Sequence, residues 1–311
     1  MISALALSPS LDVTYVVDAL EGIQRPREVR RVGGGKALNA VRAAASLGAR
    51  TTAVAVLAGG SGEDVAAGAR ADGVDLRVVP GEHPTRTCVS VLAAATGALT
   101  EIYERAVPVG AGTLDRAVGL ALDLAARQGG WWLLSGGLPG TIAPSVVGTV
   151  VGRLRAAGAR VAVDSHGPAL AGAVGEGPDL VKVNRVEAAE LLGVPADTPG
   201  AGLVTGLRDR SRGLVVVTDG AEGAWASDGT SVLRVRLEGH VGRFPVGSGD
   251  SFLGGMLVAL DGGASLAEAV ALGAAAGTAN AQVPGAAVLD AALARRLVGE
   301  AAVETVALPV P

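Results

Sequence analysis

Cysteine is almost missing from this chain of 311 residues, where Cys88 stands alone. No disulfide can close within the chain, and no cysteine cluster can hold a metal. Such usage suits a reducing compartment, so a cytoplasmic location is expected. Aromatic side chains make up only 2% of the sequence, so any core must be built from Ala, Val and Leu. No run of Lys or Arg forms a stripe that could track phosphates, and the net charge is −4. Nucleic acid is therefore not an expected partner, although a few basic residues could still hold a small anion. The opening residues MISALALSPSLD lack a basic segment ahead of the apolar ones, so no secretory signal is expected. The longest uncharged stretch, Ala269 to Leu289, is mostly Ala and Gly and carries Asn280, Gln282 and Pro284. It is too weakly hydrophobic for a membrane span and reads as a buried helix followed by a loop. His83, His166 and His240 share no metal-ligand spacing.

Apolar, strand-like runs alternate with helical stretches along the chain. The runs are ISALAL (2–7), TTAVAVL (51–57), WWLLS (131–135), RVAVD (160–164), LVKV (180–183) and GLVVVT (213–218). Their nearly continuous apolar character is expected of strands covered by helices on both faces. The alternation predicts an α/β fold: a single three-layer α/β/α domain over 1–311 with a mainly parallel central sheet. Ligands bind beyond the carboxyl ends of the strands in such sheets. Two segments break the pattern, residues 12–32 and 86–105. Polar residues interleave in both, and the second reads as a hairpin around Thr96 and Gly97. They predict a small accessory sheet, a lid, or else edge strands of the main sheet.

Two stretches share one grammar. Gly247-Ser248-Gly249-Asp250 precedes Phe252, Leu253, Met256, Leu257 and Leu260, which fall on one helical stripe. A helix start leaves amides unpaired and favours negative charge. Asp250 there also suits an ordinary helix cap. The second stretch is Gly33-Gly34-Gly35-Lys36, followed by Asn39 on the next helix. It is neither a Walker loop, since Ala37 stands where Ser or Thr is required, nor the dinucleotide fingerprint, since it follows the basic segment REVRR. It offers close backbone approach, a cation and an amide, or else is a tight turn with a solvated lysine. Asp12, in SPSLD, leaves the first strand at the end where a ligand would sit and would suit sugar hydroxyls, or else fixes a turn.

Taken together, the sequence resembles the ribokinase-like (PfkB) carbohydrate kinases, in particular the 1-phosphofructokinase and tagatose-6-phosphate kinase branch. SPSLD (8–12) is similar to "NPALD", and GGKALNAVRAAASLGA (34–49) to "GGKGINVARALAxLG". SGGLPG (135–140) is similar to "SGSLPxG", and LVKVNRVEAAELLG (180–193) to "LIKPNxxELxxLLG". VVVTDGAEGAWA (215–226) is similar to "VVVSLGxxGA", and PVGSGDSFLGG (245–255) to "TVGAGDSFxAG". TRT (85–87) matches a substrate-side segment. The order is collinear over nearly the whole chain.

The resemblance implies a ribokinase-like domain with a β-sheet lid that uses ATP and Mg2+ to phosphorylate a small sugar or sugar phosphate. By position it implies Asp250 as the base and the amides of Gly247, Ser248 and Gly249 as the anion hole. Asp12, Gly34, Gly35, Lys36, Asn39 and Arg86 fall on sugar or sugar-phosphate positions. Lys182, Asn184, Thr218, Asp219, Gly220 and Gly223 fall on nucleotide positions, with Asn280 near the adenine wall. Asn184 and Glu187 would organise magnesium indirectly. A homodimer through the lid is expected, and neither nucleic acid nor membrane as partner. Gly137 replaces a serine that often contacts substrate in the family, and the basic segment RPREVRR is short. These departures leave open a kinase of an unphosphorylated sugar or nucleoside, or a catalytically silent sugar- or nucleotide-sensing protein.

Overall fold

Two sheets organise the chain in a computed structural model that describes residues 1–306. The larger sheet collects the apolar runs. Its strands are β1 (Ile2–Ala6), β4 (Thr51–Leu57), β5 (Asp75–Pro80), β8 (Trp131–Ser135), β9 (Arg160–Asp164), β10 (Leu180–Asn184), β11 (Leu214–Thr218), β12 (Ala224–Ser227), β13 (Val232–Arg236) and β14 (Ala302–Val306). They lie in the order β14-β13-β12-β11-β10-β9-β8-β1-β4-β5. From β11 to β5 every neighbour is parallel, while β12, β13 and β14 extend one edge antiparallel. The sheet is thus mainly parallel, as the alternation predicts.

Strand periodicity divides the core in two. Trp132, Val161, Val163, Val181 and Val215 face α3 (Ala111–Gln128), α4 (Ser145–Ala156), α5 (Gly167–Gly175), α6 (Arg185–Leu192) and α7 (Gly200–Arg210). Trp131, Leu133, Ala162, Leu180 and Val216 face α1 (Lys36–Ser46), α2 (Gly59–Ala71), α8 (Ser248–Asp261) and α9 (Leu266–Ala281). A final helix, α10 (Ala291–Leu297), packs on α9. Both tryptophans are core residues. The buried helix expected within Ala269–Leu289 is the body of α9, and among the described residues no helix is long and apolar enough to cross a membrane.

Scarce aromatics and abundant Gly and Ala permit close helix packing. A Cβ on Gly254 of α8 would come within 2.5 Å of the Ala40 oxygen on α1. One on Gly255 would come within 2.8 Å of the Leu272 oxygen on α9. The close approach holds the N-terminal ends of α1 and α8 side by side at the carboxyl end of the sheet.

The second sheet has the order β3-β2-β6-β7, with β2 (Ser10–Val17), β3 (Glu28–Gly34), β6 (Arg86–Ala93) and β7 (Ala98–Tyr103). It is the accessory sheet expected from 12–32 and 86–105, with the hairpin turn at Thr96 and Gly97. It begins two residues earlier than the expected span, so Asp12 stands within β2, opposite Val32 and Cys88, and not in a turn. Cys88 is buried on β6.

Candidate active site

Asp250 occupies the first turn of α8, whose N-cap is Gly247 in the left-handed conformation (φ 81°) with no side-chain cap. The first hydrogen bond back to this cap runs from the Ser251 amide to the Gly247 oxygen. Among the described residues no acceptor meets the amides of Gly249 and Asp250, whereas the Ser248 amide, expected in the anion hole, donates to the Pro245 oxygen at 3.0 Å. Glycine is required at the cap because of its φ, and because a Cβ there would collide with the Ala287 amide.

The Asp250 side chain is 7% exposed. The Asn39 Nδ2, one turn into α1, donates to its Oδ2 at 2.9 Å. Burial, and then the negative charge of Asp164, push the Asp250 carboxyl up to about 6, against the opposing pull of Lys36, Lys182 and Asn39. Its proton affinity therefore lies close to neutrality, where a general base works best.

Asp164 closes β9 and is wholly buried. Lys182 on β10 donates to its Oδ2 at 2.7 Å, and Lys36 donates to its Oδ1 at 3.0 Å. Burial alone would raise Asp164, but the two ammonium groups outweigh it and hold the carboxyl below its usual range. Lys36 is held in the charged state chiefly by Asp164, with Glu187 and Asp250 adding to it. Lys36 also lies 3.5 Å from Glu187. A Cβ on Gly249 would come within 3.0 Å of the Lys182 Nζ. The bare glycine thus leaves an ammonium group beside open amides, a combination suited to phosphate oxygens.

The sugar-side positions converge. A Cβ on Gly34 would strike the Asp12 carboxylate, and one on Gly35 (φ 92°) would crowd Pro9. Ser10 Oγ donates to Asp12 at 2.5 Å. Burial raises the Asp12 carboxyl, against the pull of Ser10, Arg42 and Arg86. Arg86 pairs with Ser10 across the sheet, and its guanidinium donates to the backbone oxygens of Glu104 and Ser8 at 3.1 and 3.3 Å. Among the arginines of the basic segment, Arg27 pairs with Asp18, while Arg30 lies against Gly285. Where the sequence substitutes Gly137 for serine, a Cβ would come within 3.3 Å of His166 Cε1. The histidine ring occupies that space.

The nucleotide positions line the next strands. Asn184 and Glu187 form a capping box on α6: each side chain accepts from the other's backbone amide at 2.9 Å. That leaves Glu187 Oε1 facing Lys36. Thr218 ends β11 opposite Asn184, and Gly220 (φ 57°) and Gly223 (φ 92°) bound the next turn. Asp219 is gripped by Arg185, whose Nε donates to it at 2.8 Å. Asn280 is fully buried, and its Nδ2 donates to the Val246 oxygen at 2.9 Å and to Ser248 Oγ at 3.0 Å. It braces the loop ahead of α8, a role that the expectation of an adenine wall did not contain.

Asp164, Arg42 and Arg185 take part without having been singled out from the sequence. Asp164 had a signal, a carboxylate ending an otherwise apolar strand. Arg42 lies on the inward side of α1 and is 3% exposed.

Two kinds of comparison bear on this arrangement. Escherichia coli phosphofructokinase-2 in complex with potassium superposes with a TM-score of 0.88 at 26% identity, covering 96% of this chain and 98% of that one. The same enzyme in complex with fructose-6-phosphate gives 0.85 at 25%, with equal coverage. A Thermotoga maritima protein described as a possible 1-phosphofructokinase shares the fold, with a TM-score of 0.88 at 20% identity over 99% and 100% of the chains. The model of the "pfkB family carbohydrate kinase" matches residues 8–292, so the chain belongs to the pfkB family of carbohydrate kinases, enzymes that transfer phosphate from ATP to sugars.

Proposed function

We propose that the protein phosphorylates a hydroxyl of a small sugar phosphate, with Asp250 as the base and the amides of Gly247, Ser248 and Gly249 as the anion hole. The observation that carries this reading is the buried Asp250, with its carboxyl raised to about 6, beside the open Gly249 amide; the Ser248 amide would have to leave the Pro245 oxygen to join it. Phosphoryl transfer needs positioning and charge neutralisation more than covalent chemistry. Asp250 accepts the acceptor hydroxyl's proton as that oxygen attacks. The open amides and Lys182 stabilise the moving charge without rearranging. Asp12 and the Gly34–Gly35 backbone orient the sugar, and Asn39 holds the base.

Magnesium bound with the nucleotide would neutralise phosphate charge. Among the described residues no group of three or more His, Cys, Asp or Glu is placed to hold a metal. Mg2+ often keeps several waters and binds mostly through substrate phosphates. Glu187, with one oxygen committed to the Asn184 amide, fits an indirect, organising part. The turn at Thr218 to Gly223 and Asn184 fit the nucleotide.

A phosphorylated acceptor is favoured by Arg86, whose donors are fixed beside Asp12 and can grip a phosphate. The test is ADP production across sugars, sugar phosphates and nucleosides, with Asp250→Asn as control. Turnover confined to sugar phosphates is expected. Preference for free sugars or nucleosides would replace the acceptor, and no turnover on any would favour a sensing role. Arg86→Ala should raise the acceptor KM about tenfold or more. We further propose that the second sheet serves as a lid and as a homodimer interface. Ile102 and Tyr103 of β7 are 63% and 49% exposed, and a sheet left so open favours pairing with another copy. Light scattering tests this.

A further inference from the structure

Behind Asn39 lies a cation that the reaction as described does not use. Arg42, one turn further along α1, is buried, and its Nε donates to Asp72 Oδ2 at 2.6 Å. Its Nη1 donates to the Ala286 oxygen at 3.1 Å and stands 3.5 Å from Asn39 Oδ1. Asp72 and Ala286 therefore hold the guanidinium at two points. A guanidinium only donates. An Asn39 amide turned the other way would set its NH2 against that cation and its oxygen against the Asp250 carboxylate. Both contacts would repel. Ala286 adjoins Ala287, whose φ of 52° makes it the non-glycine residue with positive φ among those described. Such strain persists where surroundings enforce it.

We propose that Arg42 is a positioning residue: it fixes the Asn39 amide so that the NH2 faces Asp250. The inference rests on the reading of Asp250 as the base. The other groups facing Asp250 are Lys36 from α1, Asp164 from β9 and Lys182 from β10. α9, packed along α8, carries Glu268 as its ionisable residue, near the start of α9, whereas Gly277 near its other end lies against Ser248.

The experiment measures kcat, KM for both substrates and the kcat–pH profile of Arg42→Met, Asn39→Ala and the double variant. Arg42→Met should lose about 10–100-fold in kcat with KM for ATP within about twofold of the parent. Its acid limb should move up by about one pH unit, because the amide is free to turn its oxygen to the base. In the Asn39→Ala background the same change should have little further effect. An unmoved acid limb, or losses that multiply fully in the double variant, would overturn the proposal. Should Arg42→Met fail to fold, Asp72→Ala releases the guanidinium from the half-exposed end. A shift of the limb in the same direction supports the inference, and an unchanged limb overturns it. An Asp250→Asn protein that keeps full turnover would instead remove the base itself, a different failure from that of Arg42.

Discussion

Helices α8 and α9 lie against one another yet begin in opposite ways. α9 starts with a complete capping box: Ser265 Oγ accepts from the Glu268 amide, and Glu268 Oε2 accepts from the Ser265 amide at 2.8 Å. α8 starts on a left-handed glycine with no side-chain cap. α1 repeats the α8 pattern with Gly35 at φ 92° and Lys36, a cation, in a first turn that the dipole alone would reserve for an anion. Asp164 and Glu187 compensate that lysine. α9 is thus capped at the surface, while α1 and α8, whose starts meet at the end of the sheet, have no side-chain cap, a lack they share with α2, α3, α4, α5 and α7; what sets α1 and α8 apart is a positive-φ glycine at the cap. Open amides are left where the proposed reaction would put a phosphate. α6 stands between these cases, because its cap consumes most of the polar atoms of Asn184 and Glu187 and leaves one carboxylate oxygen toward Lys36.

The largest effect that sharpens this contrast is expected at Asp250. If its carboxylate is a base and not a cap, Asp250→Asn lowers kcat by about 10²–10⁴ with the fold intact. The same change should stabilise the protein. The folded carboxyl titrates near 6 and the ordinary value is 3.8. The native state thus holds its proton more tightly than the unfolded chain. Stability is fully present below about pH 3.8 and is lost as pH rises through 6. Asn carries no charge to bury, so at pH 7 the variant should exceed the parent by about 1–3 kcal/mol, a gap that closes at low pH. Melting curves across pH measure it. A variant less stable at pH 7 than its parent would return Asp250 to the role of cap.

Gly247 comes next. An alanine there would sit at a φ that side chains avoid and would press on the Ala287 amide. The loop must move, carrying the open amides away from their target. A fall in kcat of about 10²–10³ is expected, comparable to the loss of an oxyanion-hole donor. Full activity in steady-state assays would show that those amides do not act on the transferring group.

Where helices cover both faces of the sheet, the sequence is transparent. β4, β8 and β9 run over 51–57, 131–135 and 160–164, the limits expected from their apolar runs. Solvent makes the edges opaque. β5 reads DLRVVP with only Leu76 and Val79 buried, as an edge strand allows, and β14, at the other edge, has no buried position; β12 and β13 lie inside the sheet but are short. α7 carries three glycines and hides its period. In the candidate site, Asp250, Lys36, Asn39 and Asp12 could be read because glycine-rich helix starts and family motifs surround them. The partners of Asp164 could not, since Lys36 is 128 residues away and only the parallel sheet brings them together. Asn280 was placed on a buried helix correctly, but which way its amide turns depends on the loop ahead of α8. Arg42 shows no sequence signal beyond its motif, because a lone arginine within an apolar helix usually faces water.

The smallest expected effect is at the capped helix, and it tests the contrast from the other side. Ser265→Ala removes the hydroxyl that accepts from the Glu268 amide and frees the Glu268 carboxylate from its hydroxyl partner. Burial of the helix is untouched, since α9 packs through Val270, Ala275, Ala276 and Ala279 farther along. The cost should be about 1 kcal/mol, as for other serine caps. Turnover and both KM values should not change, because Ser265 begins α9 while Gly277, near its other end, is the residue against Ser248. Denaturant unfolding read together with the ADP assay separates the two quantities. A loss of turnover without loss of stability would mean that the start of α9 is coupled to the site through the helix, and that capped and uncapped starts do not divide structure from function.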